Sequence, residues 1–267
     1  MTASDLPTTS LSGLHAVVCG ASTGIGRAIA LTFASRGAAV TVLARSEDKL
    51  VALLPELAAA GASASRAVVA DLDDRAGLCD QVATLLAEAG PVHILVNNGG
   101  GPPGGPILEA AESEFLLAFG RHVLASHLLV GLLLPGMREE GYGRILNVVS
   151  TSVREPIPNL GVSNTTRGAV ASWAKSVSRE LPPGVTINNL LPGFTDTERL
   201  GSLAEAQASR RGVSREQVKE DWLSQIPEGR LGRPEELAAM AAFLASPAGA
   251  YVRGQSIAVD GGRLRSI

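Results

Sequence analysis

Val17-Val18-Cys19-Gly20-Ala21-Ser22-Thr23-Gly24-Ile25-Gly26 runs from a β-branched, apolar stretch through three spaced glycines into an Ala- and Leu-rich one. The first part reads as a strand, and the last, continuing to Arg36, as a helix. Gly20 permits a tight turn, Gly24 lets a phosphate approach the backbone, and Gly26 lets helix and strand pack closely. A helix that opens this way presents free N–H groups and the positive end of its dipole to an anion. The three glycines alone are also compatible with a turn that holds no ligand. The strand before them and the helix after them favour the phosphate reading.

The same alternation continues along the chain. Strand candidates are His15–Cys19, Ala39–Ala44, Arg66–Asp71, His93–Asn97, Arg144–Val149, Val185–Leu190 and Gln255–Val259. Each is short and nearly uniformly apolar, as strands are when helices cover both faces of a parallel sheet. Helices are expected over Gly24–Arg36, Glu47–Ala60, Arg75–Ala89, Glu112–Glu140, Ser163–Leu181 and Pro234–Ala245. Seven strands alternating with six helices predict an α/β, doubly wound Rossmann fold with a seven-stranded parallel sheet, as a single domain over residues 1–267. Two segments break the rhythm. Gly99–Pro106 (Gly-Gly-Gly-Pro-Pro-Gly-Gly-Pro) reads as an irregular loop. Phe194–Gly232 is a long polar insertion whose helical pieces, Thr197–Ala208 and Ser214–Gln225, are expected to lie over a cleft as a substrate lid.

Composition narrows the partners. The chain has 267 residues, 45% apolar, with 23 basic and 26 acidic side chains giving a net charge of −3. That balance offers neither a basic footprint for nucleic acid nor a polybasic membrane anchor. The longest apolar runs, such as Leu128–Leu134, fall short of the roughly 20 residues that span a bilayer. Two cysteines, Cys19 and Cys79, make no disulfide framework, and the polar stretch Met1–Ser12 lacks the basic start of a secretory signal, so a cytoplasmic location is expected. His15, His93 and His127 show no metal-ligand spacing, and no metal is assigned.

A dinucleotide site declares its adenosine preference about 20 residues past the glycines, at the end of the second strand. A carboxylate there would suit the ribose hydroxyls of NAD(H). Leu43-Ala44-Arg45-Ser46 has no acid, and a guanidinium beside a hydroxyl suits a 2′-phosphate. NADP(H) is therefore favoured, with NAD(H) possible. The competing reading leaves Arg45 in solvent at the strand end.

On these residues the chain resembles the short-chain dehydrogenase/reductase family over almost its whole length. Gly20–Gly26 matches the family's glycine signature, with Cys19 where threonine is usual, and Asp71-Leu72 resembles its adenine-pocket pair. Asn97-Asn98-Gly99-Gly100 resembles the Asn-Asn-Ala-Gly motif, with Gly99 in place of alanine. Pro192-Gly193-Phe194-Thr195-Asp196-Thr197 matches the segment that cradles nicotinamide and phosphates. Arg233-Pro234-Glu235-Glu236, Phe243-Leu244-Ala245-Ser246 and Val259-Asp260-Gly261-Gly262 resemble the β-ketoacyl-carrier-protein reductase branch. The resemblance implies a dinucleotide held by Gly20, Ser22, Thr23, Gly24, Ile25, Gly26, Arg45, Ser46, Asp71, Leu72, Asn98, Gly99, Gly100, Arg167, Pro192, Gly193, Thr195 and Thr197.

The family's reductases use an Asn-Ser-Tyr-Lys set. Arg144-Ile145-Leu146-Asn147-Val148-Val149-Ser150 aligns with the strand that carries the serine, so Ser150 is retained. Ser163 and Arg167 then fall at the tyrosine and lysine positions, and His122 at the asparagine position. Ser163-Asn164-Thr165-Thr166-Arg167 looks like a divergent branch that carries Ser-Asn and Arg in place of the pair. Ser163 is a far weaker acid than a phenol of pKa about 10. Arg167 cannot relay a proton, yet it can hydrogen-bond ribose hydroxyls and stabilise an oxyanion. His122, titrating near neutrality, could donate a proton if its ring faces the cleft, or could be a packed helix residue. Ser150 could instead satisfy backbone at the strand end, and Ser163 could cap its helix.

The expected activity is reduction of a carbonyl, or oxidation of an alcohol, on a small molecule with NADP(H). A nucleotide-binding pseudoenzyme and a non-redox reaction on the same scaffold are the alternatives. Family resemblance implies a homodimer or homotetramer through the long helices Phe115–Leu134 and Ala169–Leu181.

Overall fold

The computed structural model describes residues 8–266; Met1–Pro7, the start of the polar N-terminal stretch, and Ile267 lie outside the described residues. Seven strands form one parallel sheet: β1 (His15–Cys19), β2 (Ala39–Ala44), β3 (Ala64–Val69), β4 (Ile94–Asn97), β5 (Gly143–Val148), β6 (Val185–Pro192) and β7 (Ser256–Val259). Their order is β3-β2-β1-β4-β5-β6-β7. The chain leaves β1 toward one edge and returns at β4 to build toward the other. That reversal opens a crevice beyond the carboxyl ends of β1 and β4, where doubly wound sheets bind ligands.

Side chains alternate across the sheet, and both faces are apolar. Ala16, Val18, Val40, Val42, Ile94 and Val96 pack against α1 (Gly24–Ser35), α2 (Glu47–Ala60) and α9 (Pro234–Ala245). Val17, Cys19, Leu43, Leu95 and Ile145 pack on the other face against α3 (Arg75–Ala89), α5 (Ala125–Glu139) and α6 (Gly161–Glu180). This two-sided burial is what the near-continuous apolar strands encode.

One row across the sheet is polar. Asn97, Asn147, Asn189 and Ser256 are paired in register on neighbouring strands. Asn97 Nδ2 donates to Asn147 Oδ1 (2.8 Å), Asn147 Nδ2 to Asn189 Oδ1 (2.9 Å), and Asn189 Nδ2 to Ser256 Oγ (3.1 Å). The chain of amides ties four strands together just below the crevice, and Asn97 Oδ1 is left buried without a partner.

Several boundaries move. β3 lies two residues earlier than predicted, so Asp71 and Leu72 stand beyond the strand, at the cleft. β6 runs on to Pro192, and α6 starts at Gly161, which places Ser163 in its first turn. The predicted uninterrupted helix Glu112–Glu140 is instead α4 (Glu112–Phe119), a π-turn over Gly120–Leu124, and α5. The Ala125 N–H bonds back to the Gly120 carbonyl, and Ser126 Oγ donates to the His122 carbonyl (2.7 Å). Such single-turn widenings are frequent at functional sites. The combined 28-residue stretch is long and apolar enough to cross a membrane by length and composition, although it breaks into shorter runs in sequence. Half of its most apolar 18-residue window is buried here, with Leu129, Leu133 and Met137 in the core.

Substituting Asn147→Leu strands the Asn97 donor and the Asn189 acceptor in the interior. Each orphaned buried group costs about 1–3 kcal/mol, so urea unfolding is expected to show a loss of about 2–5 kcal/mol with unchanged m-value.

Candidate functional site

The crevice is a cleft of about 480 Å³. The glycine turn forms one wall. Gly20 and Gly24 adopt φ of +58° and +55°, which side chains with a Cβ rarely tolerate. A Cβ on Gly26 would lie 2.2 Å from the Gly20 carbonyl oxygen, so nothing larger than glycine lets the helix start there. Asn98 Nδ2 donates to the carbonyls of Cys19 and Gly20, both at 3.2 Å, and fixes the turn against β4. Thr23, at the N-cap of α1, makes no side-chain capping bond. Among the described residues the amides of Gly24, Ile25 and Gly26 have no acceptor. The helix therefore offers an anion site without a built-in competitor.

Every residue predicted to hold the dinucleotide lines this cleft except Gly26, which packs behind the turn. Arg45, with its side chain 70% exposed, stands 3.8 Å from Asp71, a loose surface pair that leaves the guanidinium free to turn to another anion. The loop over 99–106 is irregular apart from an isolated bridge between Gly105 and Leu160. The 194–232 segment folds into α7 (Glu198–Arg211) and α8 (Arg215–Leu223), which share a small core of their own. Phe194 and Trp222 stack within it at 5.1 Å, and both face the cleft.

Ser150, Ser163 and Arg167 come together on the cleft wall. Ser150 Oγ accepts the Ser152 N–H (3.0 Å), which leaves its own O–H free to donate. Ser163 does not cap α6, because the N-cap is Leu160, three residues earlier. The Arg167 guanidinium is anchored by carbonyls, Nη1 to Val148 (2.8 Å) and Nη2 to Gly99 (3.4 Å). Burial, then the charge of Arg199, push its pKa down to about 10, so it stays protonated at neutral pH.

His122 corrects the sequence expectation. It does not line the cleft; it sits in the π-turn, 6% exposed, at a neighbouring cavity of about 10 Å³, roughly the space of one water. Its Nε2 has no partner. Burial, reinforced by the charges of Arg167 and Arg121, drives its pKa down to about 2. An imidazole held neutral this firmly does not titrate near pH 7. A Cβ on Gly99 would stand 3.3 Å from Leu72 Cδ1 and 3.4 Å from His122 Cε1, close against both side chains. The remaining candidates for a proton-handling pair lie elsewhere. Tyr142 donates to the Ala245 carbonyl (2.7 Å) under the Arg144 guanidinium, Tyr251 is fully exposed, and Lys175 donates to the Gly254 carbonyl (3.0 Å).

Residues 20–263 match the family described as enoyl-(acyl carrier protein) reductase. The chain belongs to the short-chain dehydrogenase/reductase family. It is 32% identical to the NADPH-dependent reductase BacG of Bacillus subtilis over 265 residues, covering 96% of this chain and 100% of that one. It is 33% identical to the 3-oxoacyl-[acyl-carrier-protein] reductase FabG of Escherichia coli, covering 94% and 97%. Among solved structures, L-sorbose reductase from Gluconobacter frateurii complexed with NADPH and L-sorbose superposes with a TM-score of 0.90 at 30% identity, covering 97% and 99%. The seven-stranded architecture is thus the family's own.

Sequence reading missed Arg199, which lines the cleft from the first turn of α7 and donates to the Pro102 carbonyl (2.7 Å). A cation two positions past Thr197 was the available signal. Arg210 and Arg211 on the same helix also have partners: Arg210 donates to the Gly104 carbonyl, and Arg211 to Asp221 (2.6 Å). Glu114 accepts the Ala111 N–H (2.9 Å) at the start of α4.

The depressed His122 pKa fixes a sign. Between pH 6.5 and about 2 the unfolded chain binds a proton at this residue that the folded chain refuses. Stability from this residue is therefore complete above pH 6.5 and falls as acid is added. At pH 5 the cost is about 2 kcal/mol. His122→Asn is expected to flatten the decline of unfolding free energy between pH 7 and pH 5 by about that amount; an unchanged slope would place the acid sensitivity elsewhere.

Proposed function

We propose that this chain is an NADP(H)-dependent oxidoreductase that interconverts a carbonyl and an alcohol on a small molecule, using Ser150, Ser163 and Arg167 where its relatives' family uses serine, tyrosine and lysine. The observation that carries the reading is the uncapped first turn of α1, with its unpartnered amides on a cleft that the family relationship spans from end to end. Relatives named as NADPH-dependent reductases support the cofactor. The residues fit it: Gly24 to Gly26 for the pyrophosphate, Arg45 and Ser46 for a 2′-phosphate, and Asp71 and Leu72 beside the adenine.

When bound, the dinucleotide supplies the hydride. The chain itself orients and stabilises. Ser150 Oγ accepts the Ser152 N–H, and its own O–H is left to donate to the substrate oxygen. Ser163, one turn into α6, offers a second hydroxyl on the same wall. Arg167 stabilises negative charge that develops on that oxygen. Its positive charge is not spent on a carboxylate, because carbonyls hold it in place. The proton comes from water, since His122 is neutral and faces away and Arg167 keeps its own. Segment 194–232 closes the site as a lid. Leu116, Leu117, Phe119 and Leu124, exposed along the helical stretch over 112–139, support a homodimer or homotetramer, and two free cysteines fit a cytoplasmic setting.

Calorimetric titration is expected to show saturable NADPH binding. Arg45→Ala should weaken it by roughly 10- to 100-fold, the loss of a charged hydrogen-bonded pair, and should change NADH binding far less. Turnover is read from reduced-nicotinamide absorbance with a panel of ketones, β-ketoacyl thioesters and quinones. Tight NADPH binding without any turnover would make the chain a nucleotide-binding protein and overturn the enzymatic reading. Product formed without a change in absorbance would replace redox chemistry with an elimination or isomerisation.

A further inference from the structure

Four arginines line the cleft, and two of them are already matched by acids. Arg45 faces Asp71, and Arg121 forms a two-pronged pair with Asp73. Arg167 and Arg199 are different. Among the described residues neither has a carboxylate within 4 Å, and Glu198 and Asp71, the acids of the cleft wall, pair with neither. Their Nη2 atoms converge: each lies 3.7 Å from the point that a Cβ on Gly101 would occupy. Arg167 is 9% exposed, and its only partners are neutral carbonyls. Arg199 is braced in the same way by Pro102. Two like charges drawn together by backbone braces, one of them buried, are a standing cost unless an anion joins them. Burial first, and the charge of Arg199 second, hold the Arg167 pKa down at about 10.

We propose that Arg167 and Arg199 form a clamp for an anionic group on the substrate, a carboxylate carried next to the reacting carbonyl, so that the natural substrate is an oxo acid or the corresponding hydroxy acid. The inference rests on the oxidoreductase reading above and adds to it the class of substrate. Planar guanidinium forks match a carboxylate's geometry, and two of them aimed at one point give both affinity and orientation. Position separates this clamp from the phosphate turn. Thr197, two residues before Arg199, is the residue of that segment that faces Gly24, its Cγ2 3.3 Å from the point of a Gly24 Cβ. Arg199 points instead to the loop over 99–106, on the side of Arg167 and Ser150. Glycine at 101 leaves the meeting point itself unfilled, since a Cβ there would sit in ordinary contact with both guanidinium ends.

The test titrates 2-oxobutanoate, 2-oxohexanoate and their uncharged methyl esters into the protein saturated with NADP⁺, by calorimetry. NADP⁺ binding is measured first and separately: its absence would strike down the cofactor reading rather than the clamp, which is then tested on the unliganded protein with the same four compounds. At least one acid is expected to bind about tenfold or more tightly than its ester. Arg199→Met is expected to erase that preference while leaving NADP⁺ affinity within about twofold, whereas Arg199→Lys restores part of it. Acids and esters binding alike, no binding by either acid, or an Arg199→Met variant that loses NADP⁺ and keeps the acid preference would each overturn the clamp. Circular dichroism and unfolding of the variants keep a folding defect from passing as loss of the site.

Discussion

The approach of Gly26 to the Gly20 carbonyl is the contact on which the site depends. With 2.2 Å between that oxygen and the place of a Cβ, only glycine allows α1 to begin so near the end of β1. Asn98, reaching from the end of β4 to the carbonyls of Cys19 and Gly20, holds the turn from behind. The acceptors of the turn are thereby used inward. Its donors, the amides that open α1, are left facing the cleft. Anion binding here comes from backbone geometry rather than from side-chain charge.

The asparagine row gives this turn a firm base. It crosses β4, β5, β6 and β7 at one level, one residue before Asn98 at the end of β4 and three before Ser150 just past the end of β5. Residues on either side of the topological reversal are thus held in a fixed relation. Above the row, a Cβ on Gly99 would touch both Leu72 and His122, and Arg167 fills the floor between Val148 and Gly99. At neutral pH Arg167 keeps its proton on the cleft wall, while the His122 ring, in the neighbouring cavity, stays neutral.

Fold and cofactor wall were legible because their determinants are local. Glycine spacing at 20–26 and uniformly apolar strands such as Val17–Cys19 carry their meaning in a few residues. Strand ends were less so: β3 and β6 shift because hydrogen bonding to neighbours, not composition, sets where a ladder stops. The π-turn at Gly120–Leu124 has no proline to announce it, and it is set by where the backbone hydrogen bonds close rather than by composition. His122 shows what spacing omits. Counting along the chain says nothing of its surroundings, whereas burial and the charges of Arg167 and Arg121 decide its protonation. Arg199 was overlooked for the same reason: its meaning appears only when α7 folds back over the loop at 99–106.

The central claim is that the first turn of α1 binds the phosphates of NADP(H). Hydrogen exchange followed by mass spectrometry, with and without saturating NADP⁺, addresses it at the atoms concerned. The account expects the amides of residues 20–27 to exchange quickly in the free protein and to slow strongly on binding. Protection confined to other segments, with this turn unchanged, would contradict it.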